Sequence, residues 1–167
     1  SSGADVLGVA RIDEAVTLRR SGIEAPILVF GPTPADFAND LLDYDITTAV
    51  CSLSTARGLS AEALKRGSKI RVHVKVDTGM GRLGIVADRL GIEGRPGEKG
   101  IGALGEIESI VRCPGLEVEG IFTHFASADS DNKESARRQF EIFSELLHDL
   151  RRIGIEMPLR HAANSAA

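Results

Sequence analysis

The feature that most constrains this chain is a rhythm. Short apolar runs alternate with stretches whose apolar residues recur at helical spacing. Residues 5–10 (DVLGVA), 25–30, 46–51, 70–77, 116–124 and 158–165 read as strands. Residues 11–22, a segment capped by Thr33 and running through Leu42, and residues 54–66, 101–111 and 134–152 read as helices. In the first helix Ile12, Ala15, Val16 and Leu18 share a side. In the last, Phe140, Phe143, Leu147 and Leu150 are expected inward. Strands alternating with helices imply a parallel sheet with helices packed outside it. An open doubly wound sheet and a (β/α)8 barrel both satisfy this order. A whole barrel needs about 250 residues, so length alone favours the open sheet for a chain of 167. Residues 87–100 (ADRLGIEGRPGEKG) break the rhythm and read as an extended loop.

Composition removes several classes of function. The formal net charge is −4 and no Lys/Arg cluster stands out, so neither nucleic acid nor a membrane surface is an expected partner. No apolar run is long enough to span a bilayer. Cys51 and Cys113 have no CxxC spacing and read as reduced thiols of a cytoplasmic protein. No His/Cys pair has metal-binding spacing, and no metal is expected. The chain opens on Ser1-Ser2-Gly3 without Met and stops at Ala167 in an apolar segment. The reading is therefore of a piece cut at both ends, with unpaired strand edges at 5–10 and 158–165 that invite pairing with another chain.

The chemistry concentrates in three places. In RVHVKVD, residues 71–77, side chains alternate faces. Val72, Val74 and Val76 suit a helix-covered face. Arg71, His73, Lys75 and Asp77 then point to the other, where a buried Lys and Asp are costly unless paired. A structural Lys75–Asp77 pair is one reading of this strand. The strand runs straight into Thr78-Gly79-Met80-Gly81-Arg82-Leu83-Gly84, three glycines at a strand's C-terminal end. In a barrel that end is the active-site rim. Arg82 on such a turn suits a small carboxylate, although a surface arginine fits the pattern too. The second place is IFTHFASAD, residues 121–129, where His124 ends a strand. The third is HAANSAA, residues 161–167, where small residues leave room for a ligand and Ser165 can donate to a phosphate.

Taken together, KVDTGMGRLG, FTHFASAD and HAANSAA resemble the alanine racemases and related fold type III barrels that use pyridoxal 5'-phosphate (PLP). The first eighty residues, GADVLGVARIDEAVTLRRSGI among them, resemble the family more weakly, so the likeness covers nearly the whole chain. It reverses the preference set by length and implies a single partial domain, 1–167: an incomplete parallel (β/α)8 barrel, about strands 2 to 7, without the family's C-terminal β-domain. By the same resemblance Arg82 and Met80 face an amino-acid substrate, Lys75 is carbamylated and its carbamate holds Arg82, and His124 stacks on the PLP ring. His161, Asn164 and Ser165 support the cofactor. The implied reaction interconverts L- and D-alanine by removal and return of the α-proton, in a homodimer. Serine or broad-specificity racemases, a D-threonine aldolase, a D-serine dehydratase, and a PLP-binding piece without activity remain alternatives.

The departures are specific. The family's Schiff-base lysine lies in an AVxKANAYGHG-like motif that has no counterpart here; Lys65, Lys69, Lys99 and Lys133 fall in helices or loops. The family's second base is a tyrosine of the C-terminal domain, and Tyr44 does not match it. No catalytic base is assigned within the chain, and the chain alone is expected to be inactive.

Overall fold

The computed structural model describes residues 3–87, 102–128 and 132–164. Its elements in chain order are β1 (Leu7–Val9), α1 (Ile12–Arg20), β2 (Ile27–Pro32), a 3-10 turn (Ala35–Phe37), α2 (Ala38–Asp43), β3 (Thr47–Val50), α3 (Leu53–Lys65), β4 (Ile70–Asp77), β5 (Ile85–Val86), α4 (Ala103–Val111), β6 (Leu116–His124), α5 (Glu134–Arg152) and β7 (Leu159–Ala163). They fall into two compact units, Ser1–His73 with Cys113–Val118, and Val74–Arg112 with Glu119–Ala167. The chain passes between the units inside β4, after α4 between Arg112 and Cys113, and inside β6.

In the first unit β1, β2 and β3 pair in parallel, Leu7 opposite Ile27 and Leu28 opposite Thr47. Ile27, Leu28, Val29, Ile46, Ala49 and Val50 are buried, as are Ala56, Leu59 and Ala63 of α3. Such runs, apolar on both faces, are what a helix-covered parallel sheet requires. The expected helix 33–42 is instead two short pieces. Thr33 does not cap it: its hydroxyl lies 2.7 Å from that of buried Thr48, and Pro34 precedes the turn. Ser52 caps α3, its Oγ accepting from the Thr55 amide at 3.2 Å, a little upstream of the expected start. Arg19 ties the unit together by donating to the carbonyls of Ile23, Ala25, Tyr44 and Asp45. Tyr44 is held in turn by Arg20, whose Nε donates to its hydroxyl at 3.0 Å. The chain's one tyrosine is thus a structural group.

In the second unit β6 and β7 are parallel, with Phe122 opposite His161 and His124 opposite Ala163. β4 lies on the other side of β6, and the two-residue β5 runs beside its end, Val76 opposite Ile85. The sequence reading had no strand here. Both faces of β4 are buried: the three valines, but also His73, Lys75 and Asp77, at 6, 5 and 8% exposure. The buried stripe of α5 is Gln139, Ile142, Phe143, Leu146 and Leu150. That corrects the expected inward set. Phe140 is 56% exposed and Leu147 half-buried, because the helix is turned to carry Gln139 inward, where its amide is fully engaged. The expected loop 87–100 lies outside the described residues beyond Ala87.

Candidate active site

The sequence-picked residues of the second unit gather at the C-terminal ends of β4, β6 and β7. The site is built from Asp77 outward. Its Oδ1 accepts from the Gly79 and Gly81 amides at 2.9 and 3.0 Å, and its Oδ2 from the Arg82 amide at 2.8 Å. Burial pushes this carboxyl up, but the amides of Gly79, Gly81, Arg82 and Met80 outweigh it, and the group lies below the ordinary 3.8. Asp77 is therefore the post around which the turn winds. Glycine is required twice over at Gly84: its φ is 131°, and a Cβ there would lie 2.7 Å from the Asp77 nitrogen.

Lys75 precedes Asp77 by two residues, so its side chain shares that face of β4. Its Nζ stands 5.5 Å from the centre of the Phe122 ring, within cation–π range. Phe122 stacks on His161, ring centres 4.7 Å apart and planes 4° from parallel. His124 is half-buried. Burial lowers its pKa, and the positive charges of Arg82 and Lys75 lower it further; burial likewise lowers that of His161. Both imidazoles are thus biased toward the neutral form, and His124 lies within the field of Arg82 and Lys75. Arg82 is exposed and Met80 half-buried on the turn. Asn164 Nδ2 donates to the Phe125 carbonyl at 3.4 Å, closing the end of β7 against the segment after β6. Ser165 lies outside the described residues.

Four participants escaped the sequence reading. Phe122 was hidden as one apolar residue in an apolar strand. Thr78 and Thr123, hydroxyls 2.8 Å apart, join the turn to β6. Gln139 reaches both from α5, donating to Thr78 Oγ1 and to the His124 carbonyl and accepting from the Ala126 amide. Its signal was legible: a lone amide on an otherwise apolar helical stripe. Among the described residues no cluster of three His, Cys, Asp or Glu side chains is placed for a metal.

A glycine turn organised by a carboxylate, with a lysine, an arginine and two imidazoles at parallel strand ends, defines a small-molecule site of the α/β barrel kind. The family described as "Alanine racemase, N-terminal domain" matches residues 1–167, and the chain belongs to it. It is 48% identical over 166 residues to an alanine racemase of Desulfosudis oleivorans, covering 99% of this chain and 42% of that protein. An alanine racemase of Methanococcus maripaludis is 43% identical over the same length. The alanine racemase of Clostridium difficile 630, solved in complex with cycloserine, superposes with a TM-score of 0.87 at 35% identity, over 98% of this chain and 42% of that one. A histidine racemase from Leuconostoc mesenteroides subsp. sake matches at 0.83 and 29% identity, over 98% and 40%. The fold is accordingly an incomplete parallel α/β barrel, and the chain spans 42% of the length of the first of these relatives.

Proposed function

We propose that this chain is the barrel part of a PLP-dependent amino-acid racemase that interconverts L- and D-alanine. The observation carrying this reading is the arrangement at the strand ends: Arg82 on a turn wound around Asp77, and His124 at the end of β6 with its pKa lowered, by burial first. The Arg82 guanidinium favours an anionic ligand, a carboxylate or a phosphate. A neutral imidazole offers a flat face without a positive charge. That donor set fits PLP: His124 would meet the ring, Ser165 would donate to its phosphate, and His161 and Asn164 would support the pocket. When bound, the cofactor supplies a sink for the charge left on the α-carbon.

Within that scheme Arg82 binds and orients the substrate carboxylate through a charge-assisted pair, with Met80 beside it on the same turn. Lys75, as its carbamate, attracts the Arg82 guanidinium, which a free ammonium would repel. His161, stacked on Phe122, backs the wall. The proton is moved by neither histidine. The two bases and the cofactor's anchoring lysine belong to parts of the protein beyond this chain, in a cytoplasmic homodimer. The test is chiral chromatography of L-alanine incubated with the full-length protein and PLP. Appearance of D-alanine supports the reading; no racemisation of alanine overturns it. A different amino acid as substrate is the second reading, favoured by the structural likeness to a histidine racemase.

A further inference from the structure

The roles proposed so far leave Gln139 out. It sits on α5 at 2% exposure, in a stripe otherwise made of Ile142, Phe143, Leu146 and Leu150. A buried amide is costly unless each polar atom is bonded, and here each is. Oε1 accepts from the Ala126 amide at 2.9 Å. Nε2 donates to the His124 carbonyl at 3.2 Å and to Thr78 Oγ1 at 3.4 Å. The Ala126 amide can only donate and the His124 carbonyl only accept, so the orientation of the Gln139 amide is fixed by its partners. Thr78 carries the contact on to Thr123, which precedes His124 in β6. Gly79, the first glycine of the turn, is packed against the same side chain: a Cβ there would lie 3.6 Å from Gln139 Cγ.

We propose that Gln139 is a positioning residue for the site, one amide that fixes both the root of the glycine turn bearing Arg82 and the strand end bearing His124. The helix behind the sheet thereby sets the spacing between the arm that takes the substrate carboxylate and the imidazole that faces the cofactor. The claim rests on the functional reading above for what Arg82 and His124 meet, but the brace itself is independent of it.

The experiment uses the full-length protein with cofactor bound. Gln139→Met keeps length and volume and loses all three bonds. Gln139→Glu keeps the acceptor for the Ala126 amide and loses both donors. Thr78→Val removes the hydroxyl that links both Gln139 and Thr123 to the turn, leaving the Gln139 bonds to His124 and Ala126, and Thr78→Ser restores it. Hydrogen exchange is read at Ala126 and at residues 79–82. Exchange of the turn should rise about tenfold in Gln139→Met, Gln139→Glu and Thr78→Val, as for loss of a bond of ordinary net strength, and return to wild type in Thr78→Ser. Ala126 should lose protection in Gln139→Met alone. The kcat/KM of the Gln139 variants should fall by roughly a hundredfold with the cofactor's absorbance retained. If Gln139→Met exchanges like wild type, the residue only fills space and the proposal is overturned. If that variant does not fold, wild-type exchange of the turn in Thr78→Val overturns it equally. A wild-type protein that does not racemise would remove the functional reading, while the exchange result still decides whether Gln139 holds the two segments.

Discussion

Phe122 and His161 lie face to face across neighbouring strands, their ring centres 4.7 Å apart and their planes 4° from parallel. They are direct partners in the β6–β7 register, so the stack follows from strand pairing rather than from a chance of rotamers. Lys75 approaches the same phenyl ring from β4. Burial within this stack lowers the pKa of His161.

The lowered pKa of His124 gives a pH signature. Its folded pKa is below the ordinary 6.5, from burial first and then from Arg82 and Lys75. The folded state thus binds this proton less readily than the unfolded one. Its stabilising contribution is full above the unfolded value and declines as pH falls through 6.5 towards the folded value. An NMR titration of the histidine ring protons should show His124 with a midpoint below 6.5, moving upward in Arg82→Ala. A midpoint unmoved by that substitution would place Arg82 too far away to act on the ring.

Arg82→Ala in the full-length protein should weaken binding of substrate and of carboxylate inhibitors by roughly 1.5–3 kcal/mol, the ordinary worth of a hydrogen bond to a charged group. Retention of the cofactor is expected. Isothermal titration with a carboxylate inhibitor checks it, and unchanged affinity would reduce Arg82 to an exposed surface charge.

Lys75 should carry one added CO2 in the full-length protein at neutral or alkaline pH. Peptide mass spectrometry under non-acidic conditions, or electron density extending beyond Nζ, is the measurement. An unmodified ammonium in density that resolves the neighbouring Phe122 ring counts against the carbamate.

Asp77→Asn should loosen the turn without disturbing the sheet. The amide side chain can still accept from some of the backbone donors, but its nitrogen would confront another, an arrangement costing about 1–3 kcal/mol. Gly84→Ala should do similar damage from the other end, since its Cβ meets main chain at 2.7 Å in a backbone region that side chains rarely adopt. Thermal melts should show both variants destabilised, with the exchange of residues 79–82 most affected. For Asp77 the pH dependence has the opposite origin from that of His124: its depressed folded pKa contributes stability above the unfolded 3.8, lost as pH falls through the folded value.

Periodicity located ten of the observed helices and strands closely, because each buries a face that the 2.0 or 3.6 repeat reports. It missed β5, whose two residues are too few to show a repeat, and placed one helix where Pro34 and the Thr33–Thr48 bond produce a short turn and a shorter helix. On α5 it chose Phe140 over Gln139 because aromatic residues are normally inward. Three hydrogen bonds from Gln139 decide otherwise, and they depend on partners at residues 78, 124 and 126 that no local window contains. In the site, the cations and imidazoles were legible as residue types at strand ends. The work of Asp77 was not: a lysine two residues away suggested an ion pair, whereas the observed bonds go forward along the chain to the turn's own amides.

That forward reach has an evolutionary side. The bonds that shape the turn join Asp77 to main-chain nitrogens, so they need glycine where φ is positive, at Gly79 and Gly81, but make no demand on the side chain of Met80 or of Leu83. Met80, half-buried, and Leu83, 38% exposed, lie on a frame that a substitution at either position need not redraw. Selection can therefore exchange the surface offered to a substrate while the path of the backbone, and with it the place of the Arg82 nitrogen, is inherited unchanged.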